Sequence, residues 1–332
     1  MRSRCVSNVL SRRAMLAGAA ALALPASRSF GKPADGLEIL GAPTGATIAL
    51  VRSLVSGSLS EAAPDASFRL WRDTDDLRAA IVSGKTKLFS TPTHVPANLA
   101  NRGMPLKLLC LLGMGHLTVV TADEKIASLA DLVGKPVLGF FRNDMPDLVF
   151  RACARMEGID PDKDMQLSYV QSGMEAAQTL AAGLASAAIL SEPPATAAIM
   201  MAGHQGRRLY RSVSLQAVWA KHRGKNGIPM VGVALRADLL DTSPELVDAL
   251  RKSLPVAKDW VLTHRSEAAA LAEQKMQMRP AIFENALDHF NMSVVSARSA
   301  KADLTAFYQT ILDLSPDALA GKLPADDFYL EL

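Results

Sequence analysis

From residue 37 onward the chain alternates short apolar runs with longer segments at helical spacing, and this alternation restricts the fold more than any other feature. Residues 37–42, 67–72, 87–90, 136–141, 166–171, 187–190 and 229–235 read as strands. Residues 107–121 read as one long β-rich run with Gly113 and Gly115 in its middle. Between them, 47–57, 75–84, 147–158 and 174–183 place apolar residues on one helix face. Thr91-Pro92 reads as a helix start, the proline being pre-set for a first turn. Residues 204–227 are basic and irregular, and the chain beyond 235 is mainly helical. Alternating strands and helices predict an α/β protein whose mostly parallel sheets are covered by helices.

A length of 332 residues suggests two domains or lobes, and a hydrophobic content of 49% excludes a disordered chain. The formal charge of +3 is misleading, because residues 1–28 hold five arginines and no acid, which leaves a body of −2 and argues against nucleic acid as a partner. Residues 11–26, SRRAMLAGAAALALPA, put an arginine pair before a short run of apolar and small residues. Residues 1–30 therefore read as an export signal resembling the twin-arginine type, with an ordinary Sec signal as the alternative; either implies the periplasm. Cys5 precedes the apolar run and cannot be a lipid-anchor cysteine. Cys110 and Cys153 each replace an apolar residue in their patterns and read as buried thiols, with no spacing that demands a disulfide.

In open α/β sheets, ligands bind beyond the carboxyl ends of strands, where helix N-termini offer free N–H groups. Five turns fit that position: Ala42-Pro43-Thr44-Gly45, Ser90-Thr91-Pro92-Thr93, Arg142-Asn143-Asp144, Gln171-Ser172-Gly173 and Ser191-Glu192-Pro193-Pro194. They supply Thr44, Gly45, Ser90, Thr91, Thr93, Asn143 and Ser172 as neutral candidates for ligand binding. Ser172 with Glu175 also fits a capping box. Arg142 is open between pairing with an anion and a solvated surface position. Asp144 and Glu192 are open between receiving a ligand N–H and serving their own helices. His94 follows one turn and His116 the mid-run glycines; each is open between a cleft and a core position. The six histidines show no metal-ligand spacing, so neither a metal nor a cofactor is expected.

Four segments carry a family resemblance. SLADLVGKPVLG (128–139), GIDPDKDMQLSYV (158–170), TLAAGLASAAILSEPPA (179–195) and the stretch 228–264 resemble, in order, segments of periplasmic solute-binding proteins of ABC importers. The nearest group is that of the nitrate, sulfonate, taurine and thiamine-precursor binding proteins, the NMT1/THI5-like group. The pattern departs where that group usually has aspartates, at Ser186 and Lys87. The resemblance implies the two-lobed, type II periplasmic-binding-protein fold. Lobe 1 would comprise 35–117 plus 229–332 and lobe 2 would comprise 118–228, with crossovers near 114–120 and 227–233. It further implies a monomer that is no enzyme, closes on a small-molecule ligand and delivers it to an inner-membrane permease and its ATPase. Turn chemistry and few aromatics (Trp71, Phe89, Phe140 and Phe141 near these turns) favour a compact, polar, non-aromatic and anionic ligand such as a sulfonate, nitrate or carboxylate. The alternatives are a thiamine-precursor pyrimidine, with Glu192 and Phe141 as ring partners, or a receptor role in a non-ABC transporter or sensor.

Overall fold

Leu106–Met114 is apolar at almost every position, and such a strand must be covered on both faces. It forms the fourth strand of a computed structural model that describes residues 36–224 and 227–332. The chain begins with β1 (Glu38–Gly41), α1 (Ile48–Val55), β2 (Ser67–Leu70), α2 (Thr74–Val82), β3 (Thr86–Pro92), α3 (His94–Asn101) and β4 (Leu106–Met114). There follow β5 (Thr118–Thr121), β6 (Pro136–Phe140), α4 (Met145–Met156), α5 (Pro161–Asp164), β7 (Gln166–Val170) and α6 (Gly173–Ala181). Next come β8 (Ala187–Leu190), α7 (Pro194–His204), β9 (Tyr210–Ser214) and α8 (Leu215–Arg223). The remainder is β10 (Pro229–Arg236), α9 (Leu239–Thr242), α10 (Pro244–Thr263), α11 (Arg265–Met276), α12 (Pro280–Ala286), β11 (Met292–Ser296) and α13 (Lys301–Leu314). The export-signal reading of 1–30 lies outside the described residues.

Two sheets result. The first has the order β11-β4-β10-β3-β1-β2 and the second β7-β6-β8-β5-β9. They are mixed, which corrects the expectation of mostly parallel sheets: four strand pairings are parallel and five antiparallel among the described residues. The cause is topological. β10 returns from the second sheet and inserts between β3 and β4 antiparallel to both, while β5 enters the second sheet antiparallel to β8 and β9.

Three further differences from the sequence reading have local causes. The run 107–121 is two strands in different sheets, broken at Gly115, whose φ of +31° a side chain would resist. Thr91 and Pro92 close β3 instead of opening a helix, because Gly232 and Val231 of β10 extend the ladder across them; α3 starts at His94. The irregular stretch 204–227 holds β9 and α8, and the helical C-terminal part holds the edge strand β11. β9 is half-buried along most of its length, so its pattern is faint. Cys110 and Cys153 are fully buried free thiols, both pushed up to about 12 by burial. Among the described residues no helix is long and apolar enough to cross a membrane.

Candidate ligand-binding cleft

The carboxyl ends of the parallel strands of the two sheets face a common cleft of about 440 Å³. All five strand-end turns contribute to its lining: Ala42, Pro43 and Thr44 after β1, Pro92 at the end of β3, Asp144 after β6, Ser172 and Gly173 after β7, and Ser191, Pro193 and Pro194 after β8. Helix caps explain why the chain turns there. Asp144 caps α4 by accepting from Met145 N at 2.7 Å, with proline at the next position. Ser172 caps α6 by accepting from Glu175 N at 3.1 Å, and Glu175 reaches back to Gln171 N at 2.9 Å.

Of the candidate residues, Thr44, His116 and Ser172 line the cleft. The others lie behind or beside it. Gly45 sits under the Phe290 ring, where any Cβ would collide. Ser90 Oγ accepts from Ala42 N at 2.7 Å and lies 3.0 Å from Thr47 Oγ1. Thr91 Oγ1 donates to Pro92 O, and Thr93 Oγ1 to Pro229 O at 2.7 Å. His94 is buried beside Asp144. Arg142 is exposed and stacks over the Tyr169 ring at 5.5 Å, in a separate depression. Asn143 is exposed at φ +62°, its backbone N–H donating to Asp147 Oδ2. Glu192 is buried and engaged by Arg211 at 2.8 Å and by the amide and hydroxyl of Thr196.

Most of the wall comes from residues outside that set. Trp71 is held by its indole N–H donating to Ser90 O at 3.1 Å, and its ring lies 6.5 Å from that of Phe141, which in turn lies 5.3 Å from Phe140. Phe141 has φ +51°, rare for a bulky residue. Met145, Met174, Met230, Met276 and Met278 add thioethers, and the segment from Met276 to Arg279, with Ile282, closes one side. That segment joins α11 to α12, far along the chain from the turns it meets, and no local signal in the sequence marks it.

Two electrostatic features stand out. Asp144 lies 3.2 Å from both His94 Nε2 and Arg78 Nη2, so a carboxylate beside the second sheet meets two bases from helices beside the first. Burial alone would raise this carboxyl, but His94, Arg78 and the Met145 amide outweigh it and hold it well below the usual range. His116 is 7% exposed, and burial lowers its imidazole from 6.5 to about 4, so it is neutral at neutral pH with one donor and one acceptor nitrogen. No group of side chains suited to a metal ion occurs among the described residues.

The connections between the sheets are stitched together. Gly115 N donates to Ile228 O at 2.8 Å, Ile228 N to Gln216 Oε1 at 3.0 Å, and Asn291 Nδ2 to Gly115 O at 2.5 Å. A side chain at Gly115 or Gly227 would run into Gln216, so both glycines are required by close approach as well as by positive φ.

Two mixed sheets flanked by helices, joined by paired connections and facing one cleft, define the two-lobed architecture of periplasmic binding proteins. The chain belongs to the NMT1-like family, whose sequence profile matches residues 76–275. Among solved structures it is similar to an ABC transporter protein from Parabacteroides distasonis, with 20% identity and a TM-score of 0.70 over 88% of this chain and 97% of that one. It is also similar to the periplasmic aliphatic sulphonate binding protein SsuA from Escherichia coli, with 16% identity and a TM-score of 0.67 over 90% and 99% of the two chains. A third is the periplasmic nitrate-binding protein NrtA from Synechocystis PCC 6803, with 14% identity and a TM-score of 0.65 over 87% and 85%. No curated protein matches the sequence.

Proposed function

We propose that this protein is the periplasmic solute-binding component of an ABC importer, a binding protein and not an enzyme. It captures a small metabolite bearing a sulfonate-, nitrate- or carboxylate-like group and presents it to a membrane permease served by an ATPase. The observation that carries this reading is the cleft itself, to which the strand-end turns of both sheets contribute. Only an arrangement with the sheets drawn together offers a ligand both sets of contacts, so ligand stabilises the closed arrangement by its differential affinity. The stitched glycine connections are the natural axis for that motion. The test combines a thermal-shift screen against small anions, sulfonates, carboxylates and pyrimidines with small-angle scattering of each hit. A dose-dependent rise in melting temperature with a smaller radius of gyration supports a receptor; ligands that stabilise without compaction exclude closure. The aromatic trio Trp71, Phe140 and Phe141 favours a second reading, in which the ligand carries a ring such as a pyrimidine.

A further inference from the structure

The cleft's charges and its apolar surface lie in different places. Its interior is walled by Trp71, Phe140, Phe141, Met230 and Met276. The interior carboxylate, Asp144, is already paired with His94 and Arg78, and His116 is uncharged at neutral pH. A bare oxyanion buried there would have only the N–H groups of the strand-end turns to meet it, and no free cation. The cleft's arginines, Arg72 and Arg279, are both exposed at its margin: Arg72 reaches Asp76 only at 4.0 Å, and Arg279 forms no ion pair among the described residues. His116, nine-tenths buried and lining the same cleft, makes no hydrogen bond among the described residues. Its ring nitrogens are not among the buried polar atoms that lack a partner, so they keep access to the cleft and can meet a ligand atom there.

We infer that the ligand is an amphipathic organic anion that enters body first, with its apolar part between the thioether and aromatic walls, an uncharged polar atom at His116 and its charged group at the rim with Arg72 and Arg279. This rests on the receptor reading above and fixes its substrate class and orientation. A volume of about 440 Å³ suits a body of ring or short-chain size and is far larger than nitrate needs. The carboxylate and sulfonate forms share this chemistry, and the head-group series below separates them.

The experiment is calorimetric titration of the full protein with straight-chain carboxylates, sulfonates and amides from ethyl to octyl, alongside nitrate and taurine, with closure followed by scattering. Affinity is expected to rise about three- to fourfold per added methylene until the cleft is full. The Arg72→Gln and Arg279→Gln variants, both at exposed positions, should each weaken the anionic series about two- to fivefold, more at low salt, and leave the amides unchanged. The terminally hydroxylated hexyl acid should bind more tightly than its parent, and His116→Phe should abolish that preference while His116→Gln retains part of it. Should the phenylalanine variant not fold, imidazole ¹⁵N resonances of His116 in the unaltered protein must move with the hydroxy acid and not with the parent. Affinity flat in chain length, or anionic binding indifferent to both arginines, overturns the inference. Closure on nitrate or taurine in preference to the longer chains overturns it while leaving the receptor standing. No closure with any of these compounds removes both.

Discussion

Lowering the pH should destabilise the ligand-free protein through one residue whose contribution can be worked out. Burial depresses the His116 imidazole from 6.5 to about 4. At pH 7 it is neutral folded and unfolded, whereas at pH 5 the unfolded chain binds a proton there that the folded chain refuses. The stability linked to His116 is therefore present in full above pH 6.5 and falls as the pH drops toward 4. Every tenfold difference in proton affinity between the folded and unfolded chain is worth about 1.4 kcal/mol, so the loss approaches roughly 3 kcal/mol at pH 4. Other groups titrate over the same range, so the measurement is the difference between the wild type and His116→Gln in urea unfolding at pH 7, 6, 5 and 4. The variant should gain on the wild type by about 2–3 kcal/mol across the series. A difference independent of pH would refute the reasoning, because it would mean that the folded protein protonates His116 as readily as the unfolded chain.

Two further substitutions probe other parts of the structure. Asp144→Asn keeps the helix cap but removes the charge facing His94 and Arg78; Arg78 is partly exposed and can rehydrate, so chemical denaturation should show a loss of about 2–4 kcal/mol. Because this carboxyl is depressed in the folded state, its stabilisation is present above the ordinary aspartate value of 3.8 and is lost as pH falls below it, so the gap between variant and wild type should narrow in acid. Gly45→Ala drives a methyl group into the Phe290 ring, and melting curves should report about 1–3 kcal/mol of destabilisation; an unchanged melting temperature would show that the ring yields freely.

The positions of the five turns were legible because strand runs, caps and prolines are local signals. Ser172 and Glu175 announce α6 from the sequence: Ser172 caps it as a capping box requires, while Glu175 reaches one residue further back, to Gln171 N rather than to Ser172 N. Which polar side chains at those turns face the cleft was not legible. Ser90 and Glu192 are residue types that suit a ligand equally well, yet here Ser90 holds the Ala42 amide and Glu192 is gripped by Arg211 and Thr196. A turn must satisfy its own backbone first, and residue type alone does not say which demand a hydroxyl meets. The contributions of Met276 and Arg279 depend on the packing of α11 and α12 against distant strands, and that is settled only by the tertiary fold.

The place of β10 has a consequence for the order of assembly. It lies between β3 and β4, which it joins across more than a hundred residues of intervening chain, and it hydrogen-bonds to both. All strands of the second sheet are complete by Ser214, before any of β10 is available. A chain growing from its N-terminus can therefore finish the second sheet while the first is still two fragments, with the facing edges of β3 and β4 unpaired. Those edges, mostly buried in the finished fold, are open to pairing with any other strand until residues 229–236 arrive. The molecule is thus vulnerable to misassociation late in its synthesis, and a single eight-residue strand ends that interval.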